Sequence, residues 1–233
     1  MNCVQGRGQY KSMMDRTGKS LITIVILDLI MVAFTLFRFP SSGLIHASPV
    51  IISLILFGII IIWSWHRLSP EARFWGVRLG GVASLILCGE VLLEYIILPI
   101  DNSKYGLIEY GLFLLILIIS GALAYRENRS LLHSTQAGLL TGLISSLIWF
   151  GVLLLVMNWF WGSSRQAQVF MSEGEGYDFI QSGMASFTTF VVQDYFGAGF
   201  FHIILGAILG VFLGFIGGLF GRITQSKVKF QKT

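Results

Sequence analysis

The run HIILGAILGVFLGFIGGLFGR, residues 202–222, decides the fold of this chain. Glycine recurs at every fourth position within it, at Gly206, Gly210, Gly214 and Gly218. Residues four apart share one helix face, so such a helix carries a strip almost without side chains, bordered by Ile, Leu, Val and Phe. Each glycine would weaken a helix in water by about 1 kcal/mol relative to alanine, whereas in lipid the backbone must satisfy its own hydrogen bonds. The run therefore predicts a membrane helix whose small residues let a neighbouring helix approach closely.

The composition of the chain agrees with a membrane protein. Of its 233 residues, 55% are hydrophobic and 12% are charged, whereas soluble domains average about 25% charged residues. The apolar residues form uninterrupted runs of about twenty, the length that crosses a hydrocarbon core of about 30 Å. The net charge of +4 could suggest a nucleic-acid partner. The basic residues instead follow the positive-inside rule, so we expect the lipid bilayer and no nucleic acid as a partner.

Six apolar segments predict an all-α, polytopic membrane helical bundle of about six transmembrane helices. The predicted spans lie at about 21–38, 50–65, 79–98, 106–125, 136–159 and 197–221, between an N-terminal tail at 1–20 and a basic C-terminal tail at 223–233. If both termini are cytoplasmic, every Lys and Arg except Arg38, Lys104 and Arg165 lies on the cytoplasmic side. Because no small-residue cleavage site promptly follows the first span, we expect that span to be retained. The sequence thus predicts a multi-pass protein of a bacterial-type plasma membrane.

The loops differ in length and character. The loop between the second and third spans is expected to carry Arg73 and Arg78, and the outer segment 162–196 is the one long connection. Within that segment Ile180, Met184, Phe187 and Val191 follow a helical stripe. This pattern predicts an amphipathic outer interfacial helix near 177–196, which either connects the fifth and sixth spans or covers an outward-facing site.

Ionisable residues inside the spans are the candidates for binding, because burying a charge there costs from about 2.5 kcal/mol to far more. Asp28 is near the middle of the first span, and Glu90 and Glu94 share one face of the third. By helical rise, Glu94 and His202 are each about 7 Å from the outer ends of their predicted spans, so they could meet. The candidate solute- or proton-binding residues are Glu90, Glu94, His202, Asp28, Asn158 and Asp194. Of these, Asn158 and Asp194 are expected near Glu94 and His202, together with Gln193. The alternative is that these groups form structural hydrogen bonds between helices.

Small residues predict where helices pack. Besides the four glycines of the last span, the fifth span carries Gly138 and Gly142 at fourfold spacing. Such faces suit close helix packing, either within the bundle or against another membrane protein.

Signatures of catalysis and cofactor binding are absent from the sequence. No HExxH, GxSxG or Walker lysine occurs. The two cysteines, Cys3 and Cys88, lie in unlike surroundings and have no metal-ligand spacing. We therefore expect no cofactor, no metal and no catalytic residues, and any ATP-derived energy would come from another chain.

Three functions remain open from the sequence. The first is a small-solute binding or transport subunit with an outward-facing polar site, and the second is a non-catalytic scaffold or assembly partner packing through its glycine faces. The third is a membrane enzyme acting on lipid. In size, span number and inside termini, the predicted architecture is similar to that of the small substrate-binding membrane subunits of vitamin-type importers, and this similarity implies an ATPase chain or another membrane subunit as partner.

Overall fold

The computed structural model describes residues 3–97 and 103–230, and these residues form helices joined by short turns. No strand occurs in this described part of the chain. The eight α-helices, numbered in order, are α1 Cys3–Arg38, α2 Leu44–Ser64, α3 Pro70–Leu92, α4 Ser103–Asn128, α5 Leu131–Phe160, α6 Ser164–Glu173, α7 Glu175–Ser182 and α8 Phe187–Phe230. Short 3₁₀ turns follow α1 and α2, and a π-helical turn, Leu93–Ile97, continues α3.

Six of these helices are long and apolar enough to cross a membrane, so the predicted all-α polytopic bundle is confirmed. The six spans are Gly18–Arg38, Leu44–Trp63, Pro70–Ile96, Gly106–Asn128, Leu131–Phe160 and Phe187–Gln225. An even number of spans places the two ends of the described chain on one side and α6 and α7 on the other. We call the side of α6 and α7 the outer end, following the orientation that the sequence predicts.

The core of the bundle is α5. Within its most apolar stretch 72% of the residues are buried, against 39% or less in each of the other spans. It contacts α1, α3, α4 and α8, while α2 packs on α1 and α8. Leu147, Phe150, Leu154 and Met157 of α5 are fully enclosed. The other spans keep one face exposed, as helices in contact with lipid do.

Glycines set the distance between α8 and its neighbours. A Cβ atom built on Gly142 of α5 would lie 2.0 Å from the carbonyl oxygen of Gly206 on α8, and one on Gly138 would lie 2.2 Å from that of Gly210. On the other flank, a Cβ on Gly121 of α4 would lie 2.0 Å from the carbonyl oxygen of Gly214. The backbones of the three helices therefore touch at these positions. The glycines of the last span make these contacts within the chain.

Several helices begin earlier than the hydropathy of the sequence indicates. Ser69 accepts a hydrogen bond from the backbone N–H of Ala72, with Pro70 as the first helical residue, so α3 begins well before the expected residue 79. Arg73 and Arg78, expected in a loop, therefore lie on α3, and Arg73 is 8% exposed. Helix α1 likewise begins before the first predicted span, at Cys3. Leu98, at the end of the predicted third span, lies outside the described residues.

The outer helix predicted near 177–196 is not continuous, because this stretch contains the end of α7 and the start of α8. Gly174 and Gly183, with φ of 80° and 68°, end α6 and α7 in the left-handed region that favours glycine. Ser186 then starts α8: its Oγ accepts from the Thr189 N–H and its carbonyl from the Phe190 N–H. The sixth span consequently begins at Phe187 and not at residue 197.

Candidate cation-binding site

Carboxyl groups from α3 and α4 gather near the outer end of the bundle. Glu90 lies in the last turn of α3, and Glu94 lies in the π-helical turn Leu93–Ile97. A π turn widens the helix by one residue per turn and is frequent at functional sites. Glu109, one turn into the fourth span, is close enough to Glu90 and Glu94 for the three charges to repel one another. The fold thus holds three acids from two helices together.

Part of this acidic group is shielded from solvent. Glu90 Oε1 lies against the backbone of α4, where a Cβ atom on Gly106 would be 3.1 Å away. Glu109 Oε2 is buried and accepts no hydrogen bond from the described part of the chain. A buried carboxylate oxygen without a donor is costly, so this group favours a proton or a cation beside it.

His202 joins the acidic group through Tyr110. Its ring stacks on Trp149 of α5 at 4.1 Å between centroids. Nδ1 lies 2.9 Å from the carbonyl oxygen of Ala198, which can only accept, so Nδ1 carries a hydrogen. Nε2 lies 3.2 Å from the hydroxyl of Tyr110, whose surroundings include the charges of Glu90, Glu109 and Glu94. The expected approach of His202 and Glu94 is therefore indirect, with a tyrosine between them.

The depth expected for His202 needs correction. Because α8 begins at Phe187, His202 lies about 22 Å from the start of its helix and not about 7 Å. It nevertheless reaches the acidic group through its contact with Tyr110.

The connection between α5 and α8 adds further acids. The pKa of Glu173 is raised to about 8, first because protein atoms around it displace water and then because of the nearby charges of Glu94, Glu175, Asp194 and Glu90. Part of the residue is nevertheless exposed. Burial, with the charges of Asp194 and Asp178, raises the pKa of Glu175 to about 7. The last turn of α6 and the start of α8 therefore extend the acidic group.

Two hydrogen bonds, one from α6 and one from α8, hold the π turn that follows α3. Arg165 donates from Nε to the carbonyl oxygen of Tyr95 at 2.8 Å. The hydroxyl of Tyr95 bonds to that of Tyr195 on α8, and both tyrosines are buried. The turn that carries Glu94 is thus held from α6 and from α8.

Two residues expected beside the acids lie elsewhere. Asn158 donates to Thr35 Oγ1 of α1 at 2.8 Å, and its backbone carbonyl accepts from Arg38. Gln193 donates to the carbonyl oxygen of Ser42, in the 3₁₀ turn after α1, at 3.3 Å. Both residues connect α1 and the turn after it to α5 and α8, which is the structural role that the sequence left open for them. Asp28 also lies apart from the acidic group, between α1 and α5.

Sequence reasoning missed Glu109, Tyr110 and Glu173 as members of the group. The available signal was the position of Glu109 inside a predicted span. Burying its carboxylate there costs as much free energy as burying that of Glu90. Tyr110 and Glu173 carried no comparable signal, because tyrosine is common at membrane interfaces and Glu173 lies in a connection.

The described residues contain no cluster of His, Cys, Asp or Glu suited to a metal ion. The chain matches no protein-family model, and comparison with curated proteins and with solved structures finds no similar protein. The geometry of the site is therefore the basis for the proposal below.

Proposed function

We propose that this integral membrane protein is a solute-binding or transport subunit that takes a small cationic solute at its outer end. The supporting observation is the group of Glu90, Glu94, Glu109 and Glu173, whose charges repel one another although they come from three helices. Such proximity costs free energy unless the acids are protonated or share a cation. A small positively charged solute would offset this repulsion more than a neutral one.

The surroundings of the acids suit the release and capture of a solute. The connection α6–α7 bears Glu173, and Arg165 of α6 donates to the carbonyl oxygen of Tyr95 at 2.8 Å. Gln166 of α6 also bonds to Tyr95, so α6 lies directly against the turn that holds Glu94. We propose that α6 and α7 act as the cover of the site, with Tyr110 and His202 forming its inner wall.

The contacts of the glycines weaken the case for the scaffold alternative. That reading required a glycine face on the fifth or sixth span to be free for a partner. Gly138 and Gly142 instead lie against Gly210 and Gly206 of the same chain. Another membrane subunit or an ATPase chain as partner remains part of the proposal, as does the bacterial-type plasma membrane.

Native mass spectrometry of protein extracted gently in its own lipids tests the proposal. A small cationic molecule should stay bound to the wild type and be lost from Glu90→Gln and Glu94→Gln. Glu127→Gln is the matched control, because Glu127 is an exposed acid at the other end of α4. Equal retention by all variants, or a stoichiometric second protein with no small molecule, would contradict the proposal and favour the assembly role.

A further inference from the structure

Asp28 is a second candidate site, independent of the acids at the outer end. It lies at the midpoint of the first span, Gly18–Arg38, and is 2% exposed. Its Oδ2 atom is buried and has no hydrogen-bond partner among the residues that the structure describes. A carboxyl group at the middle of a membrane with an unsatisfied oxygen is costly, so its presence requires a reason beyond packing.

The site is shaped around this carboxyl. Asp28 Oδ1 occupies the place of a side chain on α5, since a Cβ atom on Gly151 would lie 2.5 Å from it. The carboxyl lines a cavity of about 300 Å³ between α1 and α5. Apart from Asp28 the walls are apolar or glycine: Ile24, Leu27, Met31, Ile148, Gly151, Val152 and Leu155.

The cavity opens toward lipid and not toward water. Leu27 and Leu155 of its wall are 53% and 50% exposed, on the outward faces of membrane-spanning helices. A ligand would therefore arrive dissolved in the bilayer. The volume is at the small end of the range for ligand pockets, about 300–1,000 Å³.

We propose that this cavity binds a membrane-soluble molecule with a compact apolar body and one protonated amine, which donates to Asp28 Oδ2. The apolar walls take the body, and the amine supplies the missing donor as a charge-assisted hydrogen bond. In surroundings of low polarity such a bond is far stronger than in water. A neutral molecule of the same shape fills the same volume but leaves Oδ2 unsatisfied, so it binds more weakly.

Dicyclohexylcarbodiimide, a lipid-soluble reagent for carboxyl groups in hydrophobic surroundings, provides the readout on the whole protein in liposomes. We expect an adduct at Asp28, located by mass spectrometry of peptides, and none at this position in Asp28→Asn. N,N-Dimethyl-1-aminoadamantane should slow the labelling at least threefold; as a tertiary amine it cannot form an amide with the activated carboxyl. Its neutral analogue, 1-isopropyladamantane, should slow the labelling much less.

Two glycine variants test the shape of the site. Gly151→Ala adds a methyl group where Oδ1 lies and should weaken protection by the amine. Gly111→Ala is the matched control, because a Cβ there meets nothing within 4 Å, and it should behave as the wild type. No labelling of folded wild type, or equal protection by the amine and its neutral analogue, would overturn the proposal.

Discussion

Gly142 lies where α5 and α8 touch, and Gly142→Ala tests the packing of the bundle directly. The added Cβ would lie 2.0 Å from the carbonyl oxygen of Gly206 and 2.8 Å from its carbon atom. Both atoms belong to the backbone of α8, so no rotation of a side chain relieves the clash. The two helices must separate by more than about 1 Å, which also loosens the neighbouring contact of Gly138 with Gly210.

The expected cost follows from two opposing terms. Overpacking a close contact costs about 1–3 kcal/mol. Alanine offsets up to about 1 kcal/mol of this through its better helix propensity. With the full offset the net loss relative to the wild type is up to about 2 kcal/mol, a fall in Tm of up to about 8 °C for a domain of this size, and relative to Gly111→Ala the loss is about 1–3 kcal/mol.

The Tm values of the wild type and the variants are measured by heating the detergent-solubilised proteins and following the fraction that remains monodisperse. Gly111→Ala, with open space around its new methyl group, supplies the reference for the helix-propensity term alone. It should equal or slightly exceed the wild type in Tm. If Gly142→Ala is as stable as Gly111→Ala, α5 and α8 do not meet at this glycine and the reasoning fails.

Three further predictions concern the outer connection and the contacts of α1. The pKa of Glu175 is raised from 4.5 to about 7 in the folded protein, so its contribution to stability is complete below pH 4.5 and is lost as the pH rises through about 7. Glu175→Gln should therefore raise the Tm at pH 8 relative to the wild type, by the equivalent of about 1–3 kcal/mol, and leave it nearly unchanged at pH 4. The same Tm difference between variant and wild type at both pH values would contradict this. A double-mutant cycle of Asn158→Leu and Thr35→Val should give a coupling free energy of about 0.6 kcal/mol, typical of hydrogen bonds between membrane helices, and zero coupling would show that the bond is absent. Tyr177→Cys, at a residue 66% exposed on α7, should react in intact cells with a membrane-impermeant maleimide when Cys3 and Cys88 are replaced; reaction only after the membrane is opened would reverse the predicted orientation.

The spans were predictable because a helix that crosses the hydrocarbon core of a membrane needs about twenty consecutive apolar residues, and hydropathy measures this directly. The six apolar runs of the sequence correspond to the six spans, and only their ends differ. The ends depend on capping, which hydropathy does not measure. Ser69 and Ser186 start α3 and α8 with single side-chain hydrogen bonds at residues that the apolar pattern does not mark.

The composition of the site was predictable only in part. Glu90, Glu94 and His202 were found from the cost of placing ionisable groups in lipid. Which of them meet depends on how the helices are rotated and ordered, and one sequence does not contain that information. Asn158 shows the consequence: the sequence predicts it near the acids, yet it donates to Thr35 of α1.

The close contact of α8 with α4 and α5 joins helices that are made at different times during synthesis. The ribosome makes α8 after both of its partners, so α5 must wait in the membrane with its glycine face toward lipid. The waiting helix satisfies its own hydroxyl groups, since Ser145 donates to the carbonyl of Thr141 and Thr141 to that of Ala137. The docking of α8 then brings a single long helix against α4 and α5, both of which were made before it.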